Sequence, residues 1–264
     1  MSIVDRHNVK TSGLGPEAPA IIFAHGFGCD QNMWRFVAPE FEDRFHVVLF
    51  DHVGAGKSDL SAYDPQRYST LDGYADDVVA LISGLGLNNA IFVGHSVSAM
   101  IGALAANRSD GLISKLVMVG PSPRYINDDG YKGGFDSTEI EELLEFLDTN
   151  HMGWSAAMAP TIMGNAERPE LGEELTNSFC ATDPEIAKQF ARTTFTSDNR
   201  ADLEAINTPT LILQCRDDAI AGEQVGRYVH EHIKGSTFVM LDATGHCPNL
   251  SAPAETTAAI AAFV

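Results

Sequence analysis

Six short apolar runs, at residues 20–24, 47–50, 90–93, 116–119, 210–214 and 237–241, punctuate the chain, and they are rich in β-branched or aromatic side chains. Runs of this kind read as strands of a parallel sheet covered on both faces. Between several of them the pattern changes to helical spacing: Tyr74, Val78, Leu81, Ile82 and Leu85 fall on one face, and Gly86 follows as a stop signal. Strand alternating with helix implies an α/β sandwich. At 264 residues, one core with one insertion is the expected organisation.

The alternation fails between residues 121 and 201, where four helical stretches follow one another without a convincing strand. The clearest covers residues 139–147, with Ile140, Leu143, Leu144 and Leu147 as an apolar stripe and Thr138 with Glu141 as the expected capping box. Another opens at Asp183-Pro184, an N-cap followed by proline at the first helical position. The expected division is therefore a core of residues 1–120 and 202–264, with a helical cap inserted at 121–201.

Charge and composition exclude several classes of function. The formal net charge of −19, from 36 acidic and 17 basic residues, repels phosphate backbones and anionic membranes, so neither nucleic acid nor membrane is an expected partner. No apolar stretch approaches the roughly 20 residues that span a bilayer. The cysteines Cys29, Cys180, Cys215 and Cys247 lack metal or redox spacing, and the start of the chain does not resemble a signal sequence; a reducing, cytoplasmic setting is expected.

The strongest local signal is Gly94-His95-Ser96-Val97-Ser98, which follows the run 90–93 and opens a stretch rich in small and apolar residues. A sharp strand-to-helix turn lifts a serine hydroxyl clear of a sheet, and small residues two before and two after it avoid backbone collision. Here Ser98 replaces the usual second glycine. His25-Gly26-Phe27-Gly28 follows the run 20–24, and acyl transfer needs N–H donors aimed at the developing oxyanion; Phe27 and Val97 are the matching positions. A serine also needs a base and a carboxylate to orient it. Asp217-Asp218 follows one late run and His246 follows the last, so Ser, Asp and His stand in order, each after a strand.

Other motifs read as structural. His25 and His95 support their loops by hydrogen bonding. His230 and His232 lie on different faces of a helix, so no metal site is expected. Val53-Gly54-Ala55-Gly56-Lys57-Ser58 lacks the first glycine of a phosphate loop, where Asp51 stands, so no nucleotide is expected. No cofactor is implied.

The stretches His25-Gly26-Phe27-Gly28-Cys29-Asp30-Gln31, Phe50-Asp51-His52-Val53-Gly54-Ala55-Gly56-Lys57-Ser58-Asp59, Gly94-His95-Ser96-Val97-Ser98-Ala99-Met100-Ile101-Gly102 and Gly245-His246-Cys247-Pro248 resemble the RsbQ-like stress-signalling hydrolases of bacteria and their plant relatives, the strigolactone and karrikin receptors. Further agreement at residues 116–123, 133–135 and 179–184 extends the likeness over nearly the whole chain. The resemblance implies an α/β-hydrolase fold, a mostly parallel sheet flanked by helices, with a V-shaped four-helix cap above the Ser-Asp-His residues and an apolar pocket between. It implies Asp218 as the carboxylate, with Asp217 the alternative, and Gly222 stands where relatives carry proline, so a looser acid loop is expected. Ser98 is the plant-receptor choice. Beside Phe27 and Val97, the expected pocket residues are Phe135, Trp154, Met158, Phe190 and Phe195. The function implied is hydrolysis of a small, largely apolar ester or lactone through an acyl-serine. The alternative is a ligand sensor that binds a signalling protein and hydrolyses slowly or once.

Overall fold

In the computed structural model, which describes residues 2–109 and 111–264, the chain opens with helix α1 (Ile3–Arg6), a polar strand β1 (Lys10–Gly13) and the first apolar strand β2 (Ala20–Ala24). Strand β3 (His46–Phe50), helix α2 (Leu71–Gly84), strand β4 (Ala90–His95), helix α3 (Val97–Arg108) and strand β5 (Ile113–Val119) follow. Four helices come next without a strand between them: α4 (Ser137–Thr149), α5 (His151–Met163), α6 (Pro169–Ala181) and α7 (Pro184–Phe195). Strand β6 (Thr210–Asp217), helix α8 (Glu223–His232), strand β7 (Thr237–Thr244) and helices α9 (Pro248–Ser251) and α10 (Pro253–Phe263) complete the chain.

Among the described residues, seven strands form one sheet in the order β1-β3-β2-β4-β5-β6-β7. Every pairing is parallel except that of β1 with β3. Sequence reading missed β1 because its four residues are all exposed and carry no apolar signal. Successive side chains point to opposite sides of a strand, so the inner strands are buried on both faces, whereas the run 237–241 lies on the edge strand β7 and only Leu241 of it is fully buried. Thus Ile21, Phe23, Ile91 and Val93 join one core with α10 and the helices after β5, while Ile22, Ala24, Phe92 and Leu116 join another with α2 and α3. On α2, Leu71, Tyr74, Val78, Leu81 and Ile82 make the buried face.

The strands deliver the candidate residues. β4 ends at His95, β6 at Asp217 and β7 at Thr244, so each stops one or two residues short of Ser96, Asp218 or His246. The chain leaves β2 for β3 on one side and returns to β4 on the other, which opens a crevice at the carboxyl ends of β2 and β4. No helix of the described residues is long and apolar enough to cross a membrane.

Local signals set the helix ends. The capping box of α4 is Asp136 with Glu139 rather than Thr138 with Glu141: the Asp136 N–H donates to the Glu139 carboxylate at 2.7 Å, which starts the helix two residues earlier. Asp183 caps α7, its carboxylate accepting from the N–H groups of Glu185 and Ile186. Below α7, buried Asp77 accepts from Tyr68 Oη at 2.6 Å and pairs with Arg67 at 2.7 Å; the Tyr68 carbonyl in turn accepts from Thr193 Oγ1 on α7 at 3.0 Å.

A seam of buried histidines runs under the crevice. His7 Nδ1–H donates to the Asp51 carbonyl at 3.1 Å, and the His52 N–H donates to His25 Nε2 at 3.1 Å. His52 Nε2–H donates to Ser98 Oγ at 2.7 Å, and Ser98 Oγ–H passes to the His25 carbonyl at 2.5 Å. His95 Nε2–H donates to the His246 carbonyl at 2.7 Å. His7, His52 and His95 serve as neutral imidazoles. Burial lowers the pKa of His7, drives that of His52 well below its usual value and takes His95 to about 3. These groups bind protons more readily unfolded than folded, so their contribution to stability is intact above pH 6.5 and declines as the pH falls toward 3. The melting temperature is therefore expected to drop between pH 7 and pH 5, with proton uptake on unfolding measurable by calorimetry in buffers of different ionisation enthalpy. Constant stability over that interval, without proton uptake, would contradict neutral burial of these rings.

Candidate active site

Ser96 occupies the turn between β4 and α3 at φ 57° and ψ −124°, a backbone conformation costly for a side-chain-bearing residue. Its N–H donates to the Val119 carbonyl at 2.8 Å and its carbonyl accepts from the Ala99 N–H at 2.9 Å, which fixes the turn to β5 and to the helix. A Cβ on Gly94 would run into the Ser98 carbonyl, so strand and helix meet this closely only with glycine there. Ser98 fits because its hydroxyl is absorbed by the His52 and His25 bonds.

The structure brings Ser96, His246 and Asp218 into one line. Facing a carboxylate, His246 Nδ1 carries the hydrogen and donates to Asp218 Oδ2 at 2.7 Å. Nε2 is then free to accept from Ser96 Oγ, also at 2.7 Å. The second carboxylate oxygen of Asp218 accepts from the N–H groups of Ile220 and Ala221 at 2.8 and 3.0 Å, so the acid is fully bonded, its side chain sealed from solvent. Asp217 instead lies exposed, and its carbonyl accepts from the Gly245 N–H at 2.7 Å. The acid loop is also tied by Gln214 Nε2–H, which donates to the Ala221 carbonyl. Gly222 takes φ −68°, the angle a proline would impose.

Gly245 brings the His246 loop against α5. At φ 86° it passes so near the Met163 carbonyl that a side chain would collide. The His246 N–H donates to the Ile162 carbonyl at 2.8 Å, and Asn165 Nδ2–H donates to the Thr244 carbonyl at 2.8 Å.

Val97 is the first residue of α3 and its N–H has no intrahelical acceptor; the Phe27 N–H is likewise without a backbone partner among the described residues. The first turn of a helix favours negative charge, so the Val97 position suits an oxyanion. Around Ser96 lies a cavity of about 30 Å³, lined by Phe27, Cys29, His95, Tyr125, Ile162, Leu175, Phe179, Thr194, Phe195, Ile220, His246 and Cys247. That volume holds about one water molecule. Burial pushes the Cys29 thiol up to about 12 and the Cys247 thiol well above its usual range, so both stay neutral and Ser96 has no thiolate rival.

Of the expected pocket residues, Phe27 and Phe195 stand on this wall. Trp154 lies behind it, edge-on to Phe27 at 6.0 Å and tilted on Phe179 at 5.3 Å. Phe190 is outside, wedged between Phe27 and Tyr74. Met158 and Phe135 are half-buried away from the cavity, Phe135 because its backbone pairs with Tyr125 and Asn127 in the segment before α4. The Val97 side chain joins the core beside α2 and α3. Sequence reading missed Tyr125, whose hydroxyl lies against Ser96 and whose pKa burial raises, and Phe179, Ile162 and Thr194 from the helices. Tyr125 follows β5 closely, and loops after parallel strands are where such groups gather; the helix residues carry no comparable signal. Among the described residues no three His, Cys, Asp or Glu side chains gather in metal-binding geometry.

Known proteins share this arrangement of chain. The alpha/beta hydrolase family matches residues 21–260. Strigolactone esterase D14 of Arabidopsis thaliana is 39% identical over 255 residues, covering 96% of this chain and 94% of that protein. Karrikin insensitive 2 receptor CA of Petunia hybrida is 38% identical with the same coverage. A hydrolase from Oleispira antarctica superposes with a TM-score of 0.96 at 43% identity, covering 99% of this chain and 95% of the other. With a family match over nearly its full length and relatives near 40% identity among esterases and receptors, the chain belongs to the alpha/beta hydrolase family.

Proposed function

We propose that the protein is a serine hydrolase that cleaves a small, largely apolar ester or lactone through an acyl-serine intermediate. The observation that carries this reading is the pair of 2.7 Å hydrogen bonds linking Ser96, His246 and Asp218 beneath an apolar wall. In this reading His246 takes the Ser96 proton as Oγ attacks the carbonyl carbon, and Asp218 stabilises the resulting imidazolium. The oxyanion accepts from the Phe27 and Val97 N–H groups. Collapse expels the alkoxide, which takes the proton back from His246; in a lactone it stays attached to the acyl chain. Water, activated by His246, then releases the acid and restores Ser96.

The reading assigns residues 1–120 and 202–264 to the hydrolase core and 121–201 to a cap. A cavity of about 30 Å³ is far below the roughly 300 Å³ of an ordinary ligand site, so a ligand enters only as the aromatic wall or the cap helices give way. That closure, with relatives named as a strigolactone esterase and a karrikin insensitive 2 receptor, favours a second reading in which hydrolysis is slow and the capped protein signals to a protein partner. The four free cysteines fit a reducing, cytoplasmic setting.

Ser96→Ala is expected to abolish covalent labelling by a serine-directed phosphonate and to lower ester hydrolysis at least about a thousandfold. Labelling that survives on another residue, located by mass spectrometry, would overturn the nucleophile. Asp218→Asn should slow acylation by about 10² to 10⁴, whereas exposed Asp217→Asn should change it less than about twofold. Equal losses in both folded variants would remove Asp218 from the role. Intact-mass measurement with a butenolide separates the two readings: an adduct persisting on Ser96 or His246 supports sensing, and many turnovers without one support a metabolic esterase.

A further inference from the structure

Thr194 and Phe195 stand side by side in the last turn of α7, and both line the cavity over Ser96. Neighbouring threonines have settled their hydroxyls: Thr193 Oγ1–H donates to the Tyr68 carbonyl at 3.0 Å and Thr196 Oγ1–H to the Arg192 carbonyl at 2.8 Å. Thr194 Oγ1 has no partner, although the residue is only 1% exposed. A helical threonine ordinarily bonds back to the carbonyl one turn earlier, and this one does not. A buried hydroxyl left unpaired is destabilising, and such groups in a folded chain call for an explanation.

The neighbourhood supplies one. Phe27, Ile162, Leu175, Phe179, Phe195 and Ile220 make the wall apolar. The hydrogen-bonding groups at the reacting end are engaged otherwise: Ser96, His246 and Asp218 with one another, the Tyr125 hydroxyl with Ser96, and the Phe27 and Val97 N–H groups with the scissile oxygen in the proposed reaction. A ligand that bonds only through its scissile carbonyl leaves Thr194 unsatisfied.

We propose that Thr194 is a specificity-determining residue whose hydroxyl donates to a second oxygen of the ligand, apart from the carbonyl under attack. The favoured substrates are thus esters or lactones carrying an additional ether, carbonyl or hydroxyl oxygen in the acyl portion, in preference to hydrocarbon acyl groups of the same shape. This rests on the hydrolase reading above. A site with a polar group waiting for its partner discriminates against an isostere that lacks one, because the buried hydroxyl then stays unpaired.

The test pairs 4-nitrophenyl methoxyacetate with 4-nitrophenyl butanoate, which differ by an ether oxygen in place of a methylene. Thr194→Val keeps the branched shape and removes the hydroxyl. The ratio of kcat/KM for the two esters, compared between native protein and variant, cancels their intrinsic reactivities. It is expected to shift about fivefold to tenfold against the methoxyacetate, with a melting temperature equal to or above the native value. An unchanged ratio overturns the proposal, and a lowered melting temperature with it would assign the hydroxyl a structural role. Native protein inert toward both esters would refute the hydrolase reading instead. The Thr194 assignment is then decided in the Ser96→Ala background by thermal shift: greater stabilisation by the methoxyacetate, lost on adding Thr194→Val, supports it, and equal shifts by the two esters overturn it.

Discussion

Ser96 is held at φ 57° and ψ −124°, in a backbone region that costs a side-chain-bearing residue on the order of 1–3 kcal/mol. The surroundings leave it no alternative. Its N–H is tied to β5 by a 2.8 Å bond, α3 begins at the next residue, and Gly94 allows helix and strand to close to a separation that any side chain would block. Three features of the site follow from this one turn. Oγ stands clear of the sheet within reach of His246, the Val97 N–H opens toward the same space, and the N-terminus of α3 points its favourable potential there.

The parallel sheet brings the rest to that point. Because β2, β4, β6 and β7 run the same way, the loops bearing Phe27, Ser96, Asp218 and His246 leave from one edge. The helices after β5 are bound to that edge by more than apolar contact. The His246 N–H is bonded to the Ile162 carbonyl and the Thr244 carbonyl to Asn165, so the position of α5 and the position of the histidine loop are mechanically joined. Asp77, through Tyr68 and Thr193, seats α7 from the opposite side.

Much of this was legible in the sequence because it is encoded locally. A strand buried on both faces is a continuous apolar run, and β2 begins and ends where its run does; β1, polar and exposed, leaves no such trace. Ser96, Asp218 and His246 each follow directly on a strand, so their order and context identified them. Choosing Asp218 over Asp217 came from resemblance, and the physical difference is one of placement: one carboxylate is sealed with three hydrogen bonds while its neighbour faces water. The cavity wall was poorly legible. Phe179, Ile162 and Thr194 reach it while Met158 does not, which depends on how four helices cross, and Phe135 is held away by its backbone pairing with Tyr125 and Asn127. At the start of α4 two capping patterns overlap, Thr138 with Glu141 and Asp136 with Glu139, and the second one forms. Ser98 looked like a tolerated substitute for glycine, and only the fold reveals the hydroxyl's place between His52 and His25.

If these residues form one preorganised acyl-transfer site, a crystal structure of the protein after reaction with a small alkyl phosphonate will show it. The expected result is phosphorus bonded to Ser96 Oγ, with the phosphoryl oxygen about 2.7–3.1 Å from both the Phe27 and the Val97 backbone nitrogens. His246 should remain bonded to Asp218. An adduct on another residue, or a Ser96 adduct whose phosphoryl oxygen turns away from both N–H groups, would contradict the account.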